Sequence, residues 1–249
     1  MRRVMAMVAT TILVLSGGCG SNSYDYRLNK TLESMRYRKR LDDNLMPPPA
    51  KGIAPFEELS IFLRPPKNLA QSKEFQMTVL EPGQYDLESS FFEEKKQNLH
   101  VLARVKKPKR SPSKKAPAPT PADTAVRGEF NRDVVGLVGN VYGVADDLGV
   151  EKFKEVSKGI NGKANKFKYH TFATSDKTVQ VYLYKLDPFE VALIFDYPSS
   201  EQASLSSRIN LALESFAVGP KAKNRFAGAV GDEGTGEGES TEGAPRQTF

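Results

Sequence analysis

The chain has 249 residues, room for one or two domains, and a formal net charge of +6, too small an excess to name a partner. It is 39% hydrophobic and 27% charged, enough for a packed core of about 160 residues flanked by polar sequence. One cysteine excludes an internal disulfide and any multi-cysteine metal site, and two histidines, His100 and His170, leave little for zinc chemistry.

Residues 1–18 read as a signal peptide. Arg2 and Arg3 give the positive start, Val4 to Leu15 the apolar run, and Ser16-Gly17-Gly18 the small residues before a cut. The run is shorter than the ~20 apolar residues of a permanent spanning helix. Removing Arg2 and Arg3 leaves a mature charge of +4.

The segment Leu15-Ser16-Gly17-Gly18-Cys19 resembles the lipobox of bacterial lipoproteins, in which signal peptidase II cuts before a diacylated cysteine. It departs from that pattern in one place: the leucine usually three residues before the cysteine is replaced by Ser16, and Leu15 sits one position early. The resemblance implies lipidation at Cys19 and a membrane partner through that anchor. Gly20, rather than Asp, after the cysteine implies the outer membrane of the cell envelope. Two acyl chains, at ~0.8 kcal/mol per buried methylene, hold a chain on a membrane essentially permanently.

Residues 19–55 form a polar, basic spacer. Leu28, Leu32, Met35 and Leu41 make a thin helical stripe among Arg27, Lys30, Arg36, Arg38, Lys39 and Arg40. Two readings stay open: a partly helical spacer, and an amphipathic helix on anionic headgroups or a partner. Pro47-Pro48-Pro49 ends any helix there.

Within 56–105, three runs alternate with a period of two: Leu59 to Arg64, Tyr85 to Phe92 and Leu99 to Val105. Each predicts a half-buried strand, the last two joined as a hairpin through the polar turn at 94–98. Residues 106–125 are Lys, Pro, Ala, Ser and Thr, an extended inserted loop or linker carrying a basic block. Phe130, Val134, Leu137, Val138 and Val141 then predict an amphipathic helix, and Glu151 to Lys158 a second, short one ended by Gly159 and Gly162.

Three strands follow, around Phe167–Thr171, Val179–Tyr184 and Phe189–Tyr197, with turns at Ser175-Asp176-Lys177 and Asp187-Pro188 predicting an antiparallel meander. Ala192 and Ile194 on the back of the third run mark it as a central strand covered on both faces. Ser199 with Gln202 forms the capping-box pattern of a helix whose buried stripe is Leu205, Ile209, Ala212, Leu213 and Phe216, ended by Gly219-Pro220. Residues 220–249, rich in Gly, Glu, Thr and Ser, are expected to be disordered. The fold class is therefore α+β, an antiparallel sheet packed with one helix on its N-terminal side and an amphipathic C-terminal helix. Residues 56–219 are read as one domain with 106–125 inserted, because a unit of ~50 residues alone is marginal.

Over 56–219 the ordered part resembles PsbP-like α–β–α sandwich domains, through Leu63-Arg64-Pro65-Pro66, the Val191–Phe195 strand, and the helix ending Glu214-Ser215-Phe216. That resemblance implies an accessory or assembly role.

Chemistry is harder to find. His170 lies in a strand with no second motif beside it, and His100 is read the same way. Asp146-Asp147 and Glu93-Glu94 lack the periodicity of a calcium loop, Gly136 and Gly139 are not a phosphate loop, and there is no Gly-x-Ser-x-Gly. Tyr182 and Tyr184 could stack sugars or bases; packing under a helix explains them as well. No catalytic, cofactor or metal site is expected, and export to the envelope argues against nucleic acid. The leading expectation is a non-enzymatic envelope lipoprotein binding a protein or cell-wall partner. Its alternatives are a ligand-binding module with a pocket between the C-terminal helix and the sheet, and an enzyme built on a polar cleft at His170 with a carboxylate partner.

Overall fold

A computed structural model describes residues 21–47, 55–94, 96–106, 128–144, 149–160 and 163–228. The signal peptide, Cys19, Asp146-Asp147, nearly all of the Lys/Pro-rich segment and the acidic tail lie outside these residues. The chain divides at Leu45 into two units, Met1–Leu45 and Met46–Phe249.

In the first unit, helix α1 spans Ser21–Asn44. The spacer is thus helical for 24 residues, stopping just short of the three prolines. Within it, the Thr31 and Ser34 hydroxyls donate to the carbonyls of Arg27 and Lys30, and Lys39 pairs with Asp43.

The second unit is built on a seven-stranded, wholly antiparallel sheet. Its strands are β2 (Ala70–Gln71), β3 (Leu87–Glu93), β4 (Gln97–Val105), β5 (Lys154–Ile160), β6 (Lys163–Ala173), β7 (Lys177–Leu186) and β8 (Phe189–Pro198). The spatial order is β2-β3-β4-β8-β7-β6-β5. The β3–β4 hairpin and the β6–β7–β8 meander are those the alternation predicts. They join where β4 pairs with β8 over Asn98↔Asp196 to Val105↔Phe189, so the two strand-rich blocks share one sheet. β8 is the middle strand, with seven consecutive residues from Val191 to Tyr197 buried.

The period-two alternation sorts the faces. Leu102, Val179, Val181, Leu183, Ala192 and Ile194 point one way and pack with helix α2 (Phe130–Tyr142) through Phe130, Val134, Val135 and Val138. Leu99, Val101, Leu193 and Phe195 point the other way. On that side lies helix α3 (Gln202–Ser215), whose predicted stripe of Leu205, Ile209, Ala212, Leu213 and Phe216 is buried throughout. Phe216 meets Phe167 and Tyr184 at ring separations of 5.6 and 5.0 Å, so the tyrosines of β7 serve packing and present no outer face. Each fully buried Leu, Val or Phe contributes ~1.5–3 kcal/mol, so the two layers supply most of the favourable free energy.

Buried Arg104 pins α2 to the sheet. Its guanidinium donates to the carbonyls of Gln84 and Gly128 and to Asp133 at 2.7 Å, and lies over the rings of Tyr85 and Phe130. These partners satisfy a charge that would otherwise be costly to bury.

Several expectations are corrected. Residues 154–158 extend as the edge strand β5, preceded by a 3₁₀ turn at Val150–Lys152; pairing with β6 overrides a polar sequence that suits either state. The Leu59–Arg64 run yields only the two-residue strand β1 (Ile61–Phe62), because Ser60 takes a positive φ of 55° that no strand accommodates. β1 pairs with β9 (Ala217–Val218) in a separate ribbon. β4 is covered on both faces because it is interior. The buried face of α2 is rotated from the predicted stripe: Val135 and Gly139 are inside, while Val141 is 36% exposed.

Ser199 makes no capping box. It begins a 3₁₀ turn, and its hydroxyl meets that of Thr178. Gly219 (φ 63°) separates β9 from a further helix, α4 (Pro220–Gly228), instead of ending α3. Residues 220–228 are therefore helical where disorder was expected, and Phe226 finds an edge-on partner in Phe62 at 5.1 Å.

The rotated face of α2 sets a test. Val138→Ala removes two methyl groups from a filled core and is expected to cost about 2 kcal/mol, whereas Val141→Ala changes stability by less than about 0.5 kcal/mol. Urea denaturation of both variants decides it, and equal effects would contradict the packing described.

Candidate functional site

Asp196 is the next-to-last fully inward residue of β8, and its carboxylate enters the α2 side of the sheet from the middle strand. Four donors converge on it. Oδ2 accepts from His100 Nε2 at 3.2 Å and Tyr142 OH at 3.0 Å; Oδ1 accepts from Asn98 Nδ2 at 3.0 Å and Lys177 Nζ at 3.1 Å. Sheet register brings them together. Asn98 stands opposite Asp196 on β4, His100 lies two residues along on the same face, and Lys177 opens β7. Tyr142 comes from the last turn of α2.

A second chain of bonds runs from the other ring nitrogen. Ser90 Oγ lies 2.8 Å from His100 Nδ1, and the same oxygen accepts the backbone N–H of Gln76 at 3.0 Å. One assignment satisfies every group: Ser90 donates its hydrogen to Nδ1, and the imidazole carries its own hydrogen on Nε2, directed at Asp196. The Phe75 ring closes over the imidazole edge-on at 5.6 Å.

Ser, His and Asp in hydrogen-bonded series are the residue types of a hydrolytic triad. The geometry differs from one in a decisive respect. Ser90 is wholly buried, its oxygen already accepts a backbone bond, and it does not line the adjacent cleft. A nucleophile needs its oxygen facing substrate. Here the hydroxyl orients the imidazole and the imidazole orients the carboxylate.

The cleft beside this network has a volume of about 570 Å³. Asn98, Tyr142, Lys177 and Asp196 form its polar floor, and Met77, Phe92 and Val141 its apolar wall. The turn Thr174–Lys177 makes the rim, held by Thr174 Oγ1, which accepts the Lys177 N–H at 3.1 Å. Lys177 is only partly covered, so its ammonium keeps donor capacity toward the cleft after pairing with Asp196.

The electrostatics follow from this packing. Burial works against the charge of Asp196, but the hydrogen bond from His100 and the charge and hydrogen bond of the Lys177 ammonium outweigh it and hold the carboxyl at about 2. The Tyr142 phenol is pushed upward, first by burial and then by the adjacent carboxylate, so it remains a donor.

His170 does not meet the expectation of a polar cleft. It is half-buried on β6 between the rings of Phe153 (5.3 Å) and Phe172 (6.4 Å). His100, read from sequence as an ordinary structural histidine, is the one that meets a carboxylate. Glu93 pairs with Lys96 on the surface of the β3–β4 hairpin. The space between α3 and the sheet, where a ligand pocket was expected, is filled by Phe216, Phe167, Tyr182 and Tyr184. Among the described residues no group of three or more His, Cys, Asp or Glu is placed to hold a metal ion. Asp196 was missed altogether. Its only trace in the sequence is a carboxylate directly after the apolar Val191–Phe195 run.

No protein-family model matches the chain, and no curated protein sequence matches it. Among solved structures, the solution structure of cyanobacterial PsbP from Synechocystis aligns with a TM-score of 0.40 and 11% identity, covering 71% of this chain and 93% of that one. A crystal structure from Bacteroides thetaiotaomicron aligns with a TM-score of 0.35 and 9% identity, covering 65% of this chain and 46% of that one.

The network predicts a pH signature. The folded carboxyl of Asp196 titrates below its unfolded value of 3.8, so its stabilisation is complete above about pH 4 and is lost as pH falls toward 2. The shift corresponds to roughly 2 kcal/mol. Asp196→Asn is expected to be less stable than the parent by that order at neutral pH, with the gap closing between pH 4 and pH 2. Urea midpoints across that range measure it, and a pH-independent gap would contradict the assignment.

Proposed function

We propose that this chain is a lipid-anchored protein of the cell envelope, held at Cys19 and more at home on the outer membrane. Its folded module works by non-catalytic binding of a cell-wall or protein partner. The observation that carries the binding reading is the cleft beside Asp196. Its floor is a rigid set of donors and acceptors locked by four bonds to one carboxylate. The buried Ser90 hydroxyl beside it is spent on holding His100. Such a floor suits recognition of a ligand by hydrogen-bonding groups held in fixed positions. The exposed Phe92 ring and the remaining donor capacity of Lys177 give the cleft an apolar contact and a charged one. The compartment sets the candidate ligands: envelope proteins and peptidoglycan fragments, not nucleic acid.

Two measurements test this. Mass spectrometry of the mature protein from membranes is expected to find an acylated N-terminus at Cys19; an unmodified N-terminus elsewhere would remove the anchor. Titration with soluble peptidoglycan fragments, followed by NMR, is expected to shift the Asn98 and Lys177 signals, and Lys177→Ala to weaken binding about tenfold, as loss of a charge-assisted contact does. Unmoved signals with peptidoglycan fragments and with extracted envelope proteins would contradict the binding role.

A further inference from the structure

Helix α1 leaves large apolar side chains in solvent along one line. Tyr24 is 67% exposed, Leu28 44%, Leu32 40% and Met35 57%. At 100° per residue these four positions fall within an arc of about 80° over three turns. Arg27 and Arg38 border that arc on one side and Arg36 on the other; Lys39, one turn past Met35, lies on the line of the stripe and pairs with Asp43. From Arg27 to Arg40 the helix carries six basic residues against one acid, Glu33. Asp25 lies near the first turn of the stripe, and Asp42 and Asp43 fall beyond its last residue. Among the described residues no helix is long and apolar enough to cross a membrane.

We infer that α1 is an interfacial helix that lies along an anionic phospholipid surface, with Tyr24, Leu28, Leu32 and Met35 sunk into the headgroup boundary and the flanking cations on lipid phosphates. The inference rests on the proposed anchor at Cys19, and the position of that residue names the occupant. The helix begins at Ser21, two residues after the cysteine, so an acyl chain there holds the first turn within ~7 Å of the bilayer surface. A helix of 24 residues is about 36 Å long. Lying flat, it removes the stripe from water and brings its cations to the anionic lipids; standing upright, it does neither. Tyr24 at the start of the stripe suits the headgroup level, where an amphipathic ring finds both solvents. A stripe this thin binds weakly alone, and tethering raises its effective concentration at the surface.

The lone cysteine makes the test independent of cellular acylation. The mature chain, residues 19–249, is coupled through the Cys19 thiol to a maleimide lipid in vesicles. These contain brominated phosphatidylcholine with about one-quarter phosphatidylglycerol, which supplies the anionic surface. The chain has no tryptophan, so Leu32→Trp and Lys30→Trp each introduce a single reporter, one on the stripe and one on the opposite side. The Leu32→Trp emission is expected to shift to the blue and be quenched about twofold or more by the brominated tails, and the Lys30→Trp emission to stay water-like, as for a helix at the acyl boundary. Omitting the anionic lipid is expected to reduce the quenching. Quenching at neither position, or equally at both, overturns the inference. Because the tether is chemical, that result leaves acylation in cells to be decided by the mass of the mature N-terminus, and absence of acylation leaves the surface contact still measurable.

Discussion

The fold depends on the ladder between β4 and β8. Eight residue pairs, from Asn98↔Asp196 to Val105↔Phe189, join an N-terminal hairpin to a C-terminal meander almost a hundred residues away in sequence. Without it the N-terminal block is a three-stranded sheet of about 50 residues with no helix of its own, marginal as a separate core, and the C-terminal block is left with β8 as an open edge. With it, both faces of β4 and β8 become interior, and α2 and α3 each find a continuous apolar surface. Closing so long a loop costs entropy that grows only slowly with length, so the inserted Lys/Pro-rich segment is thermodynamically cheap.

That ladder also explains why a charged group stands in the core. Asp196 sits at the end of the seam on β8, where β4 brings two donors to it and β7 and the last turn of α2 one each. A carboxylate buried in this way destabilises any alternative register, because a slip of one residue would turn it to the other face and leave it unpaired. The same saturation that fixes the seam stiffens the floor of the cleft. Structure and site are therefore one network, and a ligand meeting Lys177 and Asn98 meets groups whose positions the sheet has already fixed.

The sequence made the local features legible and hid those that depend on distant partners. The alternation in β6, β7 and β8 and the stripe of α3 were readable because each element buries its own periodic face. β5 was misread as a helix because an edge strand needs little apolar surface, and Lys154 to Lys158 carries almost none. The capping pattern at Ser199 and Gln202 was present, but Thr178 on the neighbouring strand took the serine hydroxyl. Phe226 looked unburiable in a Gly- and Glu-rich tail until Phe62 supplied its partner. The site was the least visible part. Ser90, His100 and Asp196 are brought together by register alone, with no shared motif, whereas His170 lies among aromatic rings.

The central claim is that two sequence-distant blocks form one cooperative sheet across the β4–β8 seam. Its most direct test is to cut the chain within residues 106–125 by an engineered protease site and follow the two fragments. The account predicts that they stay associated through gel filtration, with amides of β4 and β8 the slowest to exchange, and that they unfold together in one transition. Fragments that separate without denaturant, or unfold at two distinct midpoints, would contradict it.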